Sequence, residues 1–273
     1  MTEFSRQIVL VTGASSGLGL HLTRAWFEAG ATVVMVARDA EKLEAARTIV
    51  AGDVTEAPTR LLLESCDLTD RAAVERLLRN VAERCGRLDV LVNCAGVSAR
   101  GTIADTPIAE FDRLWRLNVV GLLNAVQCAL PLLHASRGVV VNIGSLAGKT
   151  APRFVGPYAA TKHAVAAISQ QLRLETAADG VHVLHVCPGP IRRDDAGTRY
   201  DAQTTGLPAG AAKPGAGAKI KGLDPAELSK KILRAVAQRQ LELIVPAKVR
   251  VLLILSAISA RWGDWLLSRS TGG

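Results

Sequence analysis

The chain has 273 residues, of which 21% are charged, 49% hydrophobic and 4% aromatic. That balance excludes wholesale disorder and supplies a large core without disulfide or metal staples. The net charge is +8, yet the basic residues are spread along the chain and form no stripe; this argues against nucleic acid and leaves a small anionic ligand or an anionic surface.

Residues 7–11 (QIVLV) form a short apolar run that leads at once into TGASSGLG and a helical pattern ending near Ala29. Residues 31–37 repeat the apolar run, and 40–50 read as a charged amphipathic helix. A third strand is expected over 61–66, a helix over 70–85, and further strands over 88–93, 139–143 and 181–186. Strands that are apolar at every residue, alternating with helices of ten or more, predict a parallel sheet covered on both faces. The fold class is α/β, one doubly wound sheet in a single domain over 1–247. Residues 117–136 carry no Asp, Glu, Lys or Arg, which is long enough to flag a membrane span. Asn118, Asn124, Gln127, Pro131 and His134 within it favour a buried helix. Residues 190–222 are rich in Gly, Ala and Pro and break the rhythm, as substrate lids do. A helix over 225–240, a strand-like LELIVP and an apolar tail over 248–273 complete the chain.

Cys66, Cys85, Cys94, Cys128 and Cys187 form no CxxC pair or Cys/His cluster, and the five histidines show no ligand spacing. Free thiols in a reducing compartment are expected, with no metal site. No charged-then-apolar leader opens the chain, so the expected location is cytoplasmic.

Gly13, Gly17 and Gly19 lie between the first strand and the first helix. Glycines there permit a tight turn and let backbone N–H groups approach a pyrophosphate at the helix N-terminus. Ser15 and Ser16 can cap the helix or donate to phosphate. A plain tight turn is the bland alternative. No GKS or GKT follows, so a P-loop nucleotidase is disfavoured. At the end of the second strand, where an acid would hold a ribose 2′-hydroxyl, stand Ala37 and Arg38. A guanidinium suits a 2′-phosphate, which favours NADP(H) over NAD(H) unless Arg38 is an ordinary surface charge.

Tyr158 and Lys162 are four residues apart in a helical pattern and share one face. A free phenol has a pKa of about 10, and a neighbouring ammonium favours its ionised form. Such a pair works as a general acid or base, although most i,i+4 pairs are solvated helix faces.

Thr12–Gly19, Cys66-Asp67-Leu68, Asn93-Cys94-Ala95-Gly96, Asn118, Ser145, Tyr158–Lys162 and Pro188-Gly189 occur in an order and spacing that resemble the classical short-chain dehydrogenase/reductase family. The resemblance covers roughly residues 5–190 and implies a Rossmann sheet and a nicotinamide cofactor. It implies Tyr158 as general acid or base and Lys162 as the group that tunes it and meets the nicotinamide ribose. Ser145 would hold the substrate oxygen, and Asn118 a water-linked proton relay. The resemblance further assigns Gly13, Ser15, Ser16, Gly17, Leu18, Gly19, Asp67, Leu68, Asn93, Ala95, Gly96, Tyr158, Lys162, Pro188, Gly189 and Ile191 to the cofactor, which Arg38 joins on its place at the end of the second strand. It also implies a homodimer or homotetramer and a small carbonyl or alcohol substrate. Three features depart from the pattern. The basic residue that many NADP-preferring relatives carry in the glycine-rich loop is absent, since Ser15 and Ser16 stand there, so the NADP preference rests mainly on Arg38. Cys94 replaces the usual second Asn, and Arg193 stands where a Thr normally touches the carboxamide.

The tail, with Arg250, Arg261, Trp262 and Trp265, suits a helix that closes the pocket, meets a partner subunit or lies at a membrane interface. Together with VTGASSGLG and VARD it is similar to the branch of 11-beta-hydroxysteroid dehydrogenase-like reductases, which implies a lipophilic substrate. Two other readings stay open: a nicotinamide sensor without turnover, and a lipid-surface protein whose tail is the working part.

Overall fold

Seven strands alternate with helices along the chain: β1 (Ile8–Thr12), β2 (Thr32–Ala37), β3 (Leu61–Ser65), β4 (Val90–Asn93), β5 (Val139–Ile143), β6 (His182–Pro188) and β7 (Glu242–Val245). The computed structural model describes residues 4–54, 57–193, 200, 203–218 and 220–270. The helices are α1 (Gly17–Glu28), α2 (Ala40–Ala51), α3 (Ala57–Arg60), α4 (Arg71–Cys85), α5 (Ile108–Trp115), α6 (Gly121–Ser136), α7 (Tyr158–Thr176), α8 (Pro225–Ala237), α9 (Val249–Ile258) and α10 (Ala260–Ser270).

The strands pair in the order β3-β2-β1-β4-β5-β6-β7 and every pair is parallel. Alternate residues of one strand point to opposite faces. Val9, Val11, Val33 and Met35 therefore pack with Leu22 and Trp26 of α1 and Ile232 of α8. Leu10, Val34 and Leu91 pack the other way, with Val74 and Leu77 of α4, Ala129 of α6 and Val165 of α7. Both faces are dry, which is why these strands are apolar throughout.

The chain leaves β1 toward β2 and β3 on one side, then returns through α4 to place β4 on the other side of β1. The connections diverge at the carboxyl ends of β1 and β4, and a crevice opens there. Thr12 ties the two ends together, since its hydroxyl accepts from Cys94 N at 3.0 Å and Ala95 N at 3.1 Å.

Two elements differ from the sequence expectation. The helix expected over 117–136 starts earlier, as α5, and runs into α6 through a π-helical turn, Arg116–Val120. The combined run Ile108–Ser136 is long and apolar enough to cross a membrane by composition. Its apolar face instead packs Leu122, Ala125, Val126, Ala129 and Leu133 into the core. The tail is not one helix: Ser259 is extended (φ −148°, ψ 120°), and α10 folds back on α9. A Cβ on Gly263 would stand 3.0 Å from Ser256 Cβ, so glycine permits that close crossing. Of the expected lid over 190–222, residues 194–199, 201–202 and 219 lie outside the described residues.

Candidate active site

The turn after β1 is built by close approach. A Cβ on Gly19 would lie 2.1 Å from Gly13 O, and one on Gly13 would lie 2.9 Å from Ala95 Cα. Gly17 has φ +53°, the left-handed region that glycine occupies freely. Only a backbone without side chains can wrap this tightly at the start of α1, whose N–H groups carry partial positive charge toward the crevice.

Arg38 follows β2 and lines the same cleft. Asp39 beside it is occupied: its carboxylate caps α2 through Lys42 N at 3.0 Å and pairs with Lys42 Nζ at 3.1 Å. These contacts, the backbone N–H first, hold its carboxyl below the usual range. Asp67 is similarly engaged, accepting from Thr69 N and Thr69 Oγ1 at 2.9 Å each. Its carboxyl is also lowered, mainly by the Thr69 N–H, with Arg38 contributing.

Tyr158 is the first residue of α7 and Lys162 lies one turn on. Lys162 Nζ is 5.8 Å from the Tyr158 ring centroid and donates to Ile143 O at 2.7 Å. The lysine is buried, and burial lowers its pKa to about 8, against the opposing pull of Cys94 and Cys187. Ser145 ends the β5 connection, and its hydroxyl accepts from Ala147 N at 3.0 Å. α7 can pass this turn closely because a Cβ on Gly148 would stand 2.4 Å from Lys162 O. Asn118 sits in the π-helical turn. Its Oδ1 accepts from Val97 N at 2.8 Å, and its Nδ2 donates to Val97 O at 2.8 Å and Thr161 Oγ1 at 3.1 Å. A Cβ on Gly96 would be 3.1 Å from Asn118 Oδ1 and 3.8 Å from Lys162 Nζ, so both side chains converge on one glycine.

Ser145, Tyr158 and Lys162 thus share with the glycine turn a single cleft of about 720 Å³. The residues expected at the site line it, apart from Gly17, Asp67, Asn93 and Asn118. Asn93 turns away: its Nδ2 donates to Asn142 Oδ1 at 2.9 Å, inside the sheet.

Sequence reasoning missed the far wall. Arg100 is buried, stacks on the Tyr200 ring at 3.8 Å, and donates to Ala211 O at 2.8 Å and Ala99 O at 3.0 Å. The Tyr200 and Ser98 hydroxyls are hydrogen-bonded to each other. Arg100 and Tyr200 are a hundred residues apart, and no local pattern announces the contact. Val249, Leu252 and Leu267 from α9 and α10 also line the cleft, with Val97, Leu146 and Val155.

Residues 7–203 match the model of the short chain dehydrogenase family. The chain is 34% identical over 238 residues to glycine betaine reductase ATRR of Emericella nidulans, covering 86% of this chain. It spans only 18% of that protein's length. It is 32% identical over 263 residues to a dehydrogenase/reductase SDR family protein 7-like of Anopheles gambiae, covering 95% of this chain and 78% of that one. The crystal structure of a short-chain dehydrogenase from Streptomyces avermitilis superposes with a TM-score of 0.76 at 30% identity, covering 97% of this chain and all of the other.

Proposed function

The chain belongs to the short-chain dehydrogenase family, an oxidoreductase fold that binds a nicotinamide cofactor, and on that premise we propose that it interconverts a lipophilic ketone and its secondary alcohol with NADP(H). The observation that carries the reading is the convergence of Ser145, Tyr158 and a buried Lys162 on the cleft that also holds the glycine turn.

The cleft fits such a cofactor. Arg38, Lys42, Arg100, Lys162, Arg193 and Lys248 line it, and Asp39, the one carboxylate among its described lining residues, is already paired with Lys42. The glycine turn keeps its tight shape only without a Cβ at Gly19, which would stand 2.1 Å from Gly13 O, and that shape brings backbone N–H groups to the position a pyrophosphate would take. Arg38 would hold the 2′-phosphate, since no unpaired acid stands at the end of β2 to repel it. When bound, the cofactor supplies or accepts the hydride.

The chain's own residues handle the oxygen and the proton. Ser145 hydrogen-bonds the substrate oxygen and fixes its place in the cleft. Tyr158 gives its phenolic proton to that oxygen in reduction and takes one from the alcohol in oxidation. Lys162 stabilises the phenolate left behind; with a pKa of about 8 it is mainly ammonium at neutral pH, and its burial leaves its field unscreened. Asn118 braces the Val97 turn and Thr161, so it holds α7 and the β4 loop at the spacing that Lys162 needs. The apolar walls from Val97, Leu146, Val155, Leu252 and Leu267 favour a lipophilic substrate.

The test is NADPH oxidation with a panel of bulky apolar ketones, small ketones and keto acids. Turnover rising with apolar bulk is expected. Activity confined to charged keto acids contradicts the substrate class.

A further inference from the structure

The two arginines that follow Ile191 point to different tasks. Arg192 is anchored: its guanidinium pairs with Asp224, its N–H donates to Leu223 O at 2.8 Å, and Leu223 N donates to Pro190 O at 2.8 Å. Asp224 in turn caps α8, accepting from Ala226 N at 2.9 Å and Glu227 N at 3.1 Å. The base of the lid is therefore pinned to the start of α8. Arg193, one residue on, reaches back to the opposite wall. Its Nη1 lies 2.9 Å from the position a Cβ on Gly17 would take, with Cζ at 3.5 Å and Nη2 at 3.7 Å.

Gly17 opens α1, so the guanidinium stands over the positive end of that helix. The first turn of α1 contains no acidic residue, and Ser16 makes no side-chain cap. Arg193 lines the same cleft as Ser15, Ser16 and Leu18, so a fork of N–H donors and the first helical N–H groups stand side by side there. A diphosphate group accepts from both. The site belongs to the cofactor; the residue assigned to it is new, and it occupies the position where the sequence pattern replaces a Thr.

We propose that Arg193 binds the pyrophosphate of the nicotinamide cofactor from the side of the β6 connection, beside the glycine turn. The proposal rests on the cofactor reading above. It makes a prediction that Arg38 does not. The pyrophosphate is common to NADPH and NADH, so Arg193 strengthens both alike, whereas Arg38 sets the ratio between them.

The experiment measures dissociation constants of NADPH, NADH and 2′-AMP for the wild type, Arg193→Gln and Arg193→Lys by calorimetry. Arg193 is solvent-exposed, so these variants should fold normally. Arg193→Gln is expected to weaken NADPH and NADH together by about 10- to 100-fold, the range of a charge-assisted hydrogen bond. Binding of 2′-AMP, which lacks the pyrophosphate, stays unchanged, and Arg193→Lys falls between. Equal or tighter binding of both dinucleotides by Arg193→Gln overturns the proposal while leaving the cofactor reading intact. A wild type that binds neither dinucleotide overturns both.

Discussion

Lys162 combines burial with a hydrogen bond to Ile143 O, and its pKa falls from 10.5 to about 8. In the unfolded chain it stays protonated to higher pH than in the folded one. Folding stability contributed by this group therefore rises between about pH 8 and the unfolded value, by up to about 1.4 kcal/mol per pH unit. The difference in unfolding free energy between wild type and Lys162→Met should change in that direction across the window; a flat difference removes the burial argument. Arg38 belongs to the same scale. Asp39 is spent as a helix cap, so Arg38→Asp is expected to invert the preference from NADPH to NADH, with NADPH weakened by about 10-fold or more. An unchanged ratio of dissociation constants would assign Arg38 to the surface. These residues were legible in the sequence because each sits at a fixed offset from a strand end or a glycine. Asn93 marks the limit of that legibility: the motif gives its position, whereas the partner of its amide N–H, Asn142 across the sheet, follows from no local pattern.

Elements were legible where burial on both faces makes a strand apolar throughout, as in β1, β2 and β5. The break at Ser259 was not, because no proline or glycine stands there, and the π-helical turn before α6 was not, because its boundary glycine, Gly121, keeps helical dihedrals and interrupts no apolar pattern. The β1–α1 turn is the element most sensitive to a single methyl group. Gly19→Ala places a Cβ 2.1 Å from Gly13 O, so the turn must open. Loss of dinucleotide binding together with a lower melting temperature is expected; wild-type binding would show that the turn has slack. On β7, Glu242 pairs with Lys149 Nζ at 2.6 Å and lies 3.3 Å from His185 Nδ1. These partners, His185 first, bring its carboxyl down to about 2. A lowered acid stabilises the fold above its unfolded value and loses that contribution as pH falls toward 2. Glu242→Gln should therefore destabilise at neutral pH and converge with wild type in acid, as read by chemical denaturation. The pair is partly exposed, which keeps the effect small.

At the scale of the molecule, long-range contacts decide what the sequence could not show. The Arg100 stack on Tyr200 joins segments a hundred residues apart with no common pattern. The tail serves two sides. Leu252 and Leu267 line the cleft, while Val251, Ile254, Trp262 and Trp265 are exposed beside Arg250 and Arg261. Removal of 249–273, which keeps Lys248 in the cleft, is expected to raise the KM for an apolar ketone several-fold while leaving NADPH affinity within a few-fold, and to abolish any flotation with anionic liposomes. Retained flotation would place any lipid contact elsewhere. Exposed Trp115 and Leu174, on α5 and α7, suit the expected pairing with a second copy, which a dimeric or tetrameric mass in light scattering would support and a monomeric mass would remove.

Every scale meets at the hydroxyl of Tyr158, and the most direct measurement is NADPH binding and ketone turnover by Tyr158→Phe. The account predicts binding within a factor of about two of wild type and turnover lower by about 100-fold or more, the usual range for a positioned acid or base. Turnover near the wild-type rate, with binding intact, would contradict it.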